Sequence, residues 1–360
     1  MPKGALRLPD DRTTITELGT ALGLLGDADP PTALARRPAE LRISGDAWDR
    51  LGAAVASGRY PSELANAFAN GAAFLHATDG LRDRPPLTIE WTGGRRSPGD
   101  EVAPIDLRID HVYLISCKYE SDIVANASPA RVFDGLLATS GDWERRDWYE
   151  MVASDQLAAL YRACIDATGL DGLPASPGEC SSAQLATVRT ALSRHRNYPD
   201  PLSRAAYRDL CQAVSTASAA RWSERLAAPG VSPESMLWRL LRIGSAPYFV
   251  LGNDRRSGAP ARLRIASPWD WRDQFELVAF TVAPASAGQP RVDWRCEYRV
   301  RRTGVLGSVA GHVEIRWSHG RFAHPPEAKV YLDTPMSELP GYHPLTGYDE
   351  PQLTLWQAEA

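Results

Sequence analysis

The chain has 360 residues, 44% of them hydrophobic and 23% charged, which excludes disordered and fibrous classes and leaves length for about two domains. Its 40 Lys and Arg against 44 Asp and Glu give a net charge of −4, which excludes a histone-like polycation but not a local basic patch. Five scattered cysteines with no CxxC pair argue against a disulfide framework and a zinc knuckle.

The N-terminal residues lack a signal-peptide pattern, and no apolar run approaches the ~18 residues of a membrane span, so the expected setting is the cytoplasm. Residues 11–79 read as helical, with Leu18, Leu22 and Leu25 at helical spacing and a second segment from Asp46 to Val55. A third begins at Ser62, a plausible N-cap, and carries Leu64, Ala67, Phe68, Ala72 and Leu75 on one face. Leu87–Trp91, Pro104–Ile109 and Val112–Tyr119 then read as strands, with Asp110-His111 as a hairpin turn. Ser128-Pro129 opens a helix carrying Val132, Phe133, Leu136 and Leu137.

From Glu144 to about Arg242 the pattern is helical again, in segments that include 184–196, 204–226 and 233–243. After Gly244 the period becomes two, giving strands at 248–251, 261–265, 275–282, 292–301, 312–317 and 328–332. Trp294, Cys296, Tyr298 and Val300 point one way, while Asp293, Arg295, Glu297 and Arg299 point the other, the alternation of an antiparallel sheet with one covered face. The expected organisation is therefore 1–140, 141–244 and 245–360.

The hairpin carries the chemistry. Strand alternation places Asp106 and Arg108 on one face, and Ser116, Lys118 and Glu120 on one face of the next strand. Lys118 is one of only three lysines in the chain, with Lys3 and Lys329. A carboxylate and an ammonium on one side of a hairpin, beside Ser116 and within reach of Glu90, suit phosphodiester hydrolysis. Mg²⁺ (or Mn²⁺) takes one or two carboxylates and acidifies water, and a neighbouring lysine orients that water or stabilises developing charge.

Pro104-Ile105-Asp106 and Ser116-Cys117-Lys118 resemble the motif of the PD-(D/E)xK nuclease superfamily, the core of many restriction endonucleases. The resemblance covers roughly residues 62–138 and includes the order helix, three strands, helix. An extra Ile separates Pro104 from the acid, and Ser116 stands where the family has its second acid. It implies a restriction-endonuclease-like mixed sheet flanked by helices, to which the periodicity adds a helical middle region and a C-terminal antiparallel β-rich module, an α/β chain in all. It also implies Asp106, Glu90 and the Cys117 carbonyl as metal ligands and Lys118 as activator. The remaining carboxylate would come from Glu90, Glu63 or Glu120, and the family often supplies a glutamate from an earlier helix.

Residues 221–331 hold seventeen Arg and Lys against ten Asp and Glu. Arg299, Arg301, Arg316, His319 and Arg321 are the expected DNA-gripping residues, against a solvated face neutralised by Glu297 and Glu314. Trp269, Trp271 and Trp294 are read as core before stacking platforms. His319 and His324 lack a cluster to complete a zinc site, and phosphate-loop, dinucleotide and zincin motifs do not occur. The expected function is a Mg²⁺-dependent DNA endonuclease of a prokaryotic restriction or phage-defence system, acting as a homodimer or with a partner subunit. The alternatives are a catalytically inactive nuclease-fold DNA-binding subunit and an interaction protein unrelated to nucleic acid.

Overall fold

The structure is a computed structural model, and it describes residues 10–93, 102–119, 123–138, 147–255, 257–286 and 288–347. In chain order the elements are α1 (Asp11–Gly23), α2 (Pro30–Arg36), β1 (Leu41–Arg42), α3 (Gly45–Ala56), α4 (Pro61–His76), β2 (Ile89–Trp91), β3 (Leu107–Ile109) and β4 (Tyr113–Tyr119). There follow β5 (Ile123–Ala127), α5 (Pro129–Phe133), α6 (Trp148–Thr168), α7 (Ser182–Ser193), α8 (Pro201–Leu226) and α9 (Pro233–Leu240). The chain ends with β6 (Tyr248–Asn253), β7 (Pro260–Ile265), α10 (Pro268–Gln274), β8 (Phe275–Ser286), β9 (Pro290–Val300), β10 (Leu306–Arg316), β11 (Glu327–Leu332) and β12 (Tyr342–Pro344). No helix among the described residues is long and apolar enough to cross a membrane.

The protein is a mixed α/β chain in two compact units that interleave in sequence. The first unit takes residues 1–121, 242–273 and 336–360, and the second takes 122–241 and 274–335. Each has its own sheet.

The first unit holds a seven-stranded mixed sheet in the order β1-β2-β3-β4-β6-β7-β12. β2, β3 and β4 form an antiparallel meander, and β6 lies parallel to β4. The strands at 248–253 and 260–265 therefore complete this sheet and do not belong to a separate C-terminal module. Parallel pairing of β4 with β6 needs a long crossover, and the chain between them provides it. The turn between β3 and β4 has positive φ at both Asp110 (51°) and His111 (57°), the two-residue turn whose twist suits a hairpin. Asp110 Oδ1 also accepts from the Leu87 and Thr88 amides at 2.8 Å each, tying the start of β2 to that turn.

Helices α1, α3 and α4 cover this sheet. Ile15, Leu18, Leu22, Leu51 and Phe74 bury against Ile89, Leu107, Ile109, Ile115 and Leu251. Helix α1 is enclosed on all sides, every residue from Thr14 to Gly23 being buried. Helix α4 starts at Pro61, with Tyr60 at the N-cap, so Ser62 lies inside its first turn. Proline's fixed φ and missing N–H favour the first helical position.

The second unit carries the five-stranded antiparallel sheet β5-β11-β10-β9-β8. Val292, Trp294 and Cys296 face its core, with Asp293, Arg295 and Glu297 on the other side, as the alternation predicts. An aromatic chain runs through this core: Phe133 stacks on Trp148, Trp222 packs edge-on against Phe133, and Phe280 lies between Trp222 and Trp294. Ser128 caps α5 and Pro129 begins it, but the helix ends at Phe133. Leu136 and Leu137 adopt left-handed φ (49° and 58°) and reach the core from a turn. β5, to which the sequence reading assigned no element, pairs antiparallel with β11.

Candidate functional site

In the first unit, Asp106 sits immediately before β3. Its amide donates to the Ile115 carbonyl at 2.8 Å, and its carbonyl accepts from the Thr92 amide at 3.0 Å. Its Oδ2 accepts from the Cys117 amide at 2.6 Å and from Ser116 Oγ at 3.4 Å. The carboxylate thus caps the ladder where β3 begins, held by main-chain geometry on β4. Ser116 is fully buried, so the serine at the family's acid position acts here as a donor to Asp106.

The glutamate that joins Asp106 is Glu17 on α1, a residue the sequence reading did not single out. Glu17 is 7% exposed, and its Oε2 accepts from the Trp91 indole N–H at 2.5 Å. Burial and then the charge of Asp106 push its carboxyl up to about 8, opposed by the indole hydrogen bond and by Lys118. Lys118 is its complement. Burial lowers its ammonium, Arg242 adds to that, and the charges of Asp106 and Glu17 oppose it. Two carboxylates from a helix and a strand and one ammonium therefore share a desolvated region in which each feels the others. Burial likewise raises the Cys117 thiol, so its sulfur is a neutral group there.

Lys118 is positioned by its neighbours on β4 and β6. The Tyr119 hydroxyl pairs with Thr20 Oγ1 at 2.8 Å on α1. Asn70, 1% exposed on α4, donates to the Gly252 carbonyl at 2.9 Å and accepts from Arg262 Nε at 2.9 Å. A side chain at Gly252 would overlap the Lys118 carbonyl, so β6 can lie this close to β4 only with glycine there.

Glu90 and Glu63 have other partners. Glu90 pairs across the sheet with Arg108, and its Oε2 is 3.6 Å from His111 Nδ1 at the hairpin turn. Glu63 pairs with Arg12 at 3.4 Å and accepts from Ser62 at 2.9 Å. Glu120 lies outside the described residues.

The five residues expected to grip DNA do not form one patch. Arg299 pairs with Glu276 at 3.1 Å, and Arg301 Nε donates to the Phe275 carbonyl at 3.1 Å, both near the β9–β10 turn. Arg316 and Arg321 belong to the other end of the sheet, roughly 30 Å away at ~3.3 Å per residue. Arg316 contacts Glu314 at 3.3 Å, and His319 Nε2 contacts Glu327 at 3.5 Å. Residues 317–326 form a longer loop in place of the expected hairpin tip. Trp271 and Trp294 are buried, whereas Trp269 is 81% exposed.

Among the described residues no group of three or more His, Cys, Asp and Glu side chains gathers as a metal cage. Mg²⁺ does not need one. It keeps several waters and binds through one or two carboxylates, and the pair Asp106 and Glu17 suits that demand. Glu17 holds its proton chiefly because it is buried, and secondarily because of the charge of Asp106. Comparison of the chain with protein-family models, with characterised proteins and with solved structures finds no match.

Proposed function

We propose that the first unit is the core of a Mg²⁺-dependent DNA endonuclease of the PD-(D/E)xK type, from a prokaryotic restriction or phage-defence system. The observation that carries this reading is that Glu17, which accepts from the Trp91 indole on β2, and Lys118 on β4 are both buried and both feel the charge of Asp106. Glu17 lies on α1, outside the residues 62–138 that carry the resemblance, and in this reading it stands in for the acid that Ser116 replaces. The order α4, β2, β3, β4 follows the expected helix and three strands, whereas the expected closing helix, α5, comes after β5 and belongs to the second unit.

In this reading Asp106 and Glu17 hold the ion, with the Cys117 carbonyl beside them. When bound, Mg²⁺ neutralises the scissile phosphate and acidifies the attacking water. Asp106 is oriented by the Cys117 amide and Glu17 by the Trp91 indole, and Glu17 would release its proton to solvent on taking up the ion. Lys118, its proton loosened by burial, sits where it can exchange a proton with the water or stabilise the pentavalent phosphate.

A plasmid-nicking assay with Mg²⁺ tests the reading. Asp106→Asn, Lys118→Met and Glu17→Gln are each expected to lower cleavage by about 100-fold or more, with DNA binding retained. Glu90→Gln leaves the rate within about twofold in the same scale of effects. EDTA abolishes cleavage. The alternative, an inactive DNA-binding subunit, is favoured by Ser116 alone. It wins if wild-type protein binds DNA in a salt-dependent way yet nicks it with neither Mg²⁺ nor Mn²⁺.

A further inference from the structure

The second unit has a hollow of about 400 Å³ where α8 begins, β10 ends and the β8–β9 turn closes in. Four arginines line it, Arg204, Arg208, Arg316 and Arg321, and none of the described lining residues is Asp or Glu. Three aromatic side chains, Tyr198, Tyr207 and Trp317, share the wall. A volume of this size falls within the range of small-molecule sites.

The floor of the hollow is built and stiff. Arg321 donates to the carbonyls of Leu192, His195, Arg196 and Asn197, at the end of α7 and just beyond it, at 3.2–3.5 Å. Its guanidinium lies 4.3 Å over the Tyr198 ring, and the Tyr207 ring centre lies 4.5 Å from that of Tyr198. Arg321 thus spends its N–H groups on neutral carbonyls while its charge meets no carboxylate among the lining residues. Arg204 donates one N–H to the Tyr198 carbonyl at 3.2 Å, and Arg316 donates one to Glu314 at 3.3 Å. A guanidinium has five N–H donors, so both retain capacity beyond these bonds.

We propose that this hollow binds a nucleoside phosphate, its phosphate gripped by Arg204, Arg208 and Arg316 and its base against Tyr207. Planar guanidinium forks match phosphate oxygens in pairs, and an aromatic ring stacks with any base. The combination selects against inorganic phosphate, which cannot use the ring, and against a nucleoside, which cannot use the arginines. The ligand is a free nucleotide or one nucleotide of a DNA strand. No residue of the first unit takes part, so the inference stands apart from the nuclease reading.

The test titrates the full chain, in EDTA, with deoxyguanosine 5′-monophosphate, with inorganic phosphate, with deoxyguanosine and with a labelled single-stranded 12-mer. Arg208 is exposed on α8, so Arg208→Glu leaves folding intact. Arg295→Glu makes the same charge change on the exposed face of β9, away from the hollow. The expected result is nucleotide binding that Arg208→Glu weakens at least tenfold, that Arg295→Glu changes less than twofold, and that exceeds phosphate and deoxyguanosine binding at least tenfold. Parallel loss of 12-mer binding in Arg208→Glu identifies the ligand as part of a strand, and unchanged 12-mer binding identifies the free nucleotide. Equal weakening by both variants, equal binding of phosphate and nucleotide, or no nucleotide binding by wild type overturns the proposal. A failure to nick plasmid with nucleotide binding intact sinks only the nuclease reading, and the converse sinks only this one.

Discussion

Glu17 is a carboxyl group that holds its proton to about pH 8 because water has been taken away and Asp106 stands nearby. Its ordinary value is 4.5, so between about 4.5 and 8 the folded state carries a proton that the unfolded state lacks. Stability then falls as pH rises through that window and levels off above it. In metal-free buffer the wild-type protein should lose on the order of 2–4 kcal/mol of unfolding free energy between pH 5 and 8.5 from this group. Glu17→Gln keeps an acceptor for the Trp91 indole and removes the charge, so its chemical-denaturation midpoint should vary less over the same range. A steeper fall in the variant than in wild type would count against the assignment.

The same residue shows what the amino-acid order does and does not reveal. Asp106 and Lys118 were legible because a hairpin of period two with a two-residue turn places them by local rules alone. Glu17 was not, because it is one charge in a helix that is enclosed on every face, among Thr14, Thr16, Gly19 and Thr20. Periodicity marks one apolar stripe, and a helix built of small residues and threonines has no exposed face against which a buried acid would stand out. The one signal was that very surrounding: a glutamate flanked by small residues that let a neighbouring helix approach. Arg204 and Arg208 escaped notice for the opposite reason, since charges on the outer face of an amphipathic helix are ordinary.

At the scale of elements, the site depends on how closely α1 and α4 cross. A Cβ on Gly71 would overlap the Thr20 carbonyl, and one on Gly23 would overlap the Phe68 carbonyl. Backbone thus meets backbone at this crossing, and the contact sets how far Glu17 reaches toward the sheet. Gly71→Ala should destabilise the protein by at least about 2 kcal/mol and lower cleavage. Gly52→Ala on α3, where nothing lies within 4 Å of the added carbon, should stabilise it by about 0.5–1 kcal/mol. Urea denaturation separates the two. The long strands β8 and β9 were legible as alternation over 275–282 and 292–300, and β10 only in its second half, from residue 312. β1, β5 and β12 were not, because two to five residues carry too little pattern and depend on a neighbour to be strands at all.

On the scale of the whole molecule, the two units share the chain by exchange, passing between them after residues 121, 241, 273 and 335. A reading in consecutive blocks ending at 140 and 244 follows composition, whereas strand pairing follows contacts that span more than a hundred residues. A chain ended at Gly244 keeps Glu17, Asp106 and Lys118 but loses β6, β7 and β12. It should lack a cooperative thermal transition, be digested rapidly by trypsin and cleave no DNA, although every residue of the candidate site is present. A folded, active fragment would contradict the sheet order.

The parallel register of β4 with β6, Ile115 against Phe249 through Tyr119 against Asn253, also has a consequence during synthesis. On the ribosome, the strand bearing Lys118 emerges long before its second neighbour is translated, and until then its outer hydrogen-bonding edge has no mate. In the nuclease reading, a nascent chain stalled ahead of Tyr248 should therefore cut no DNA.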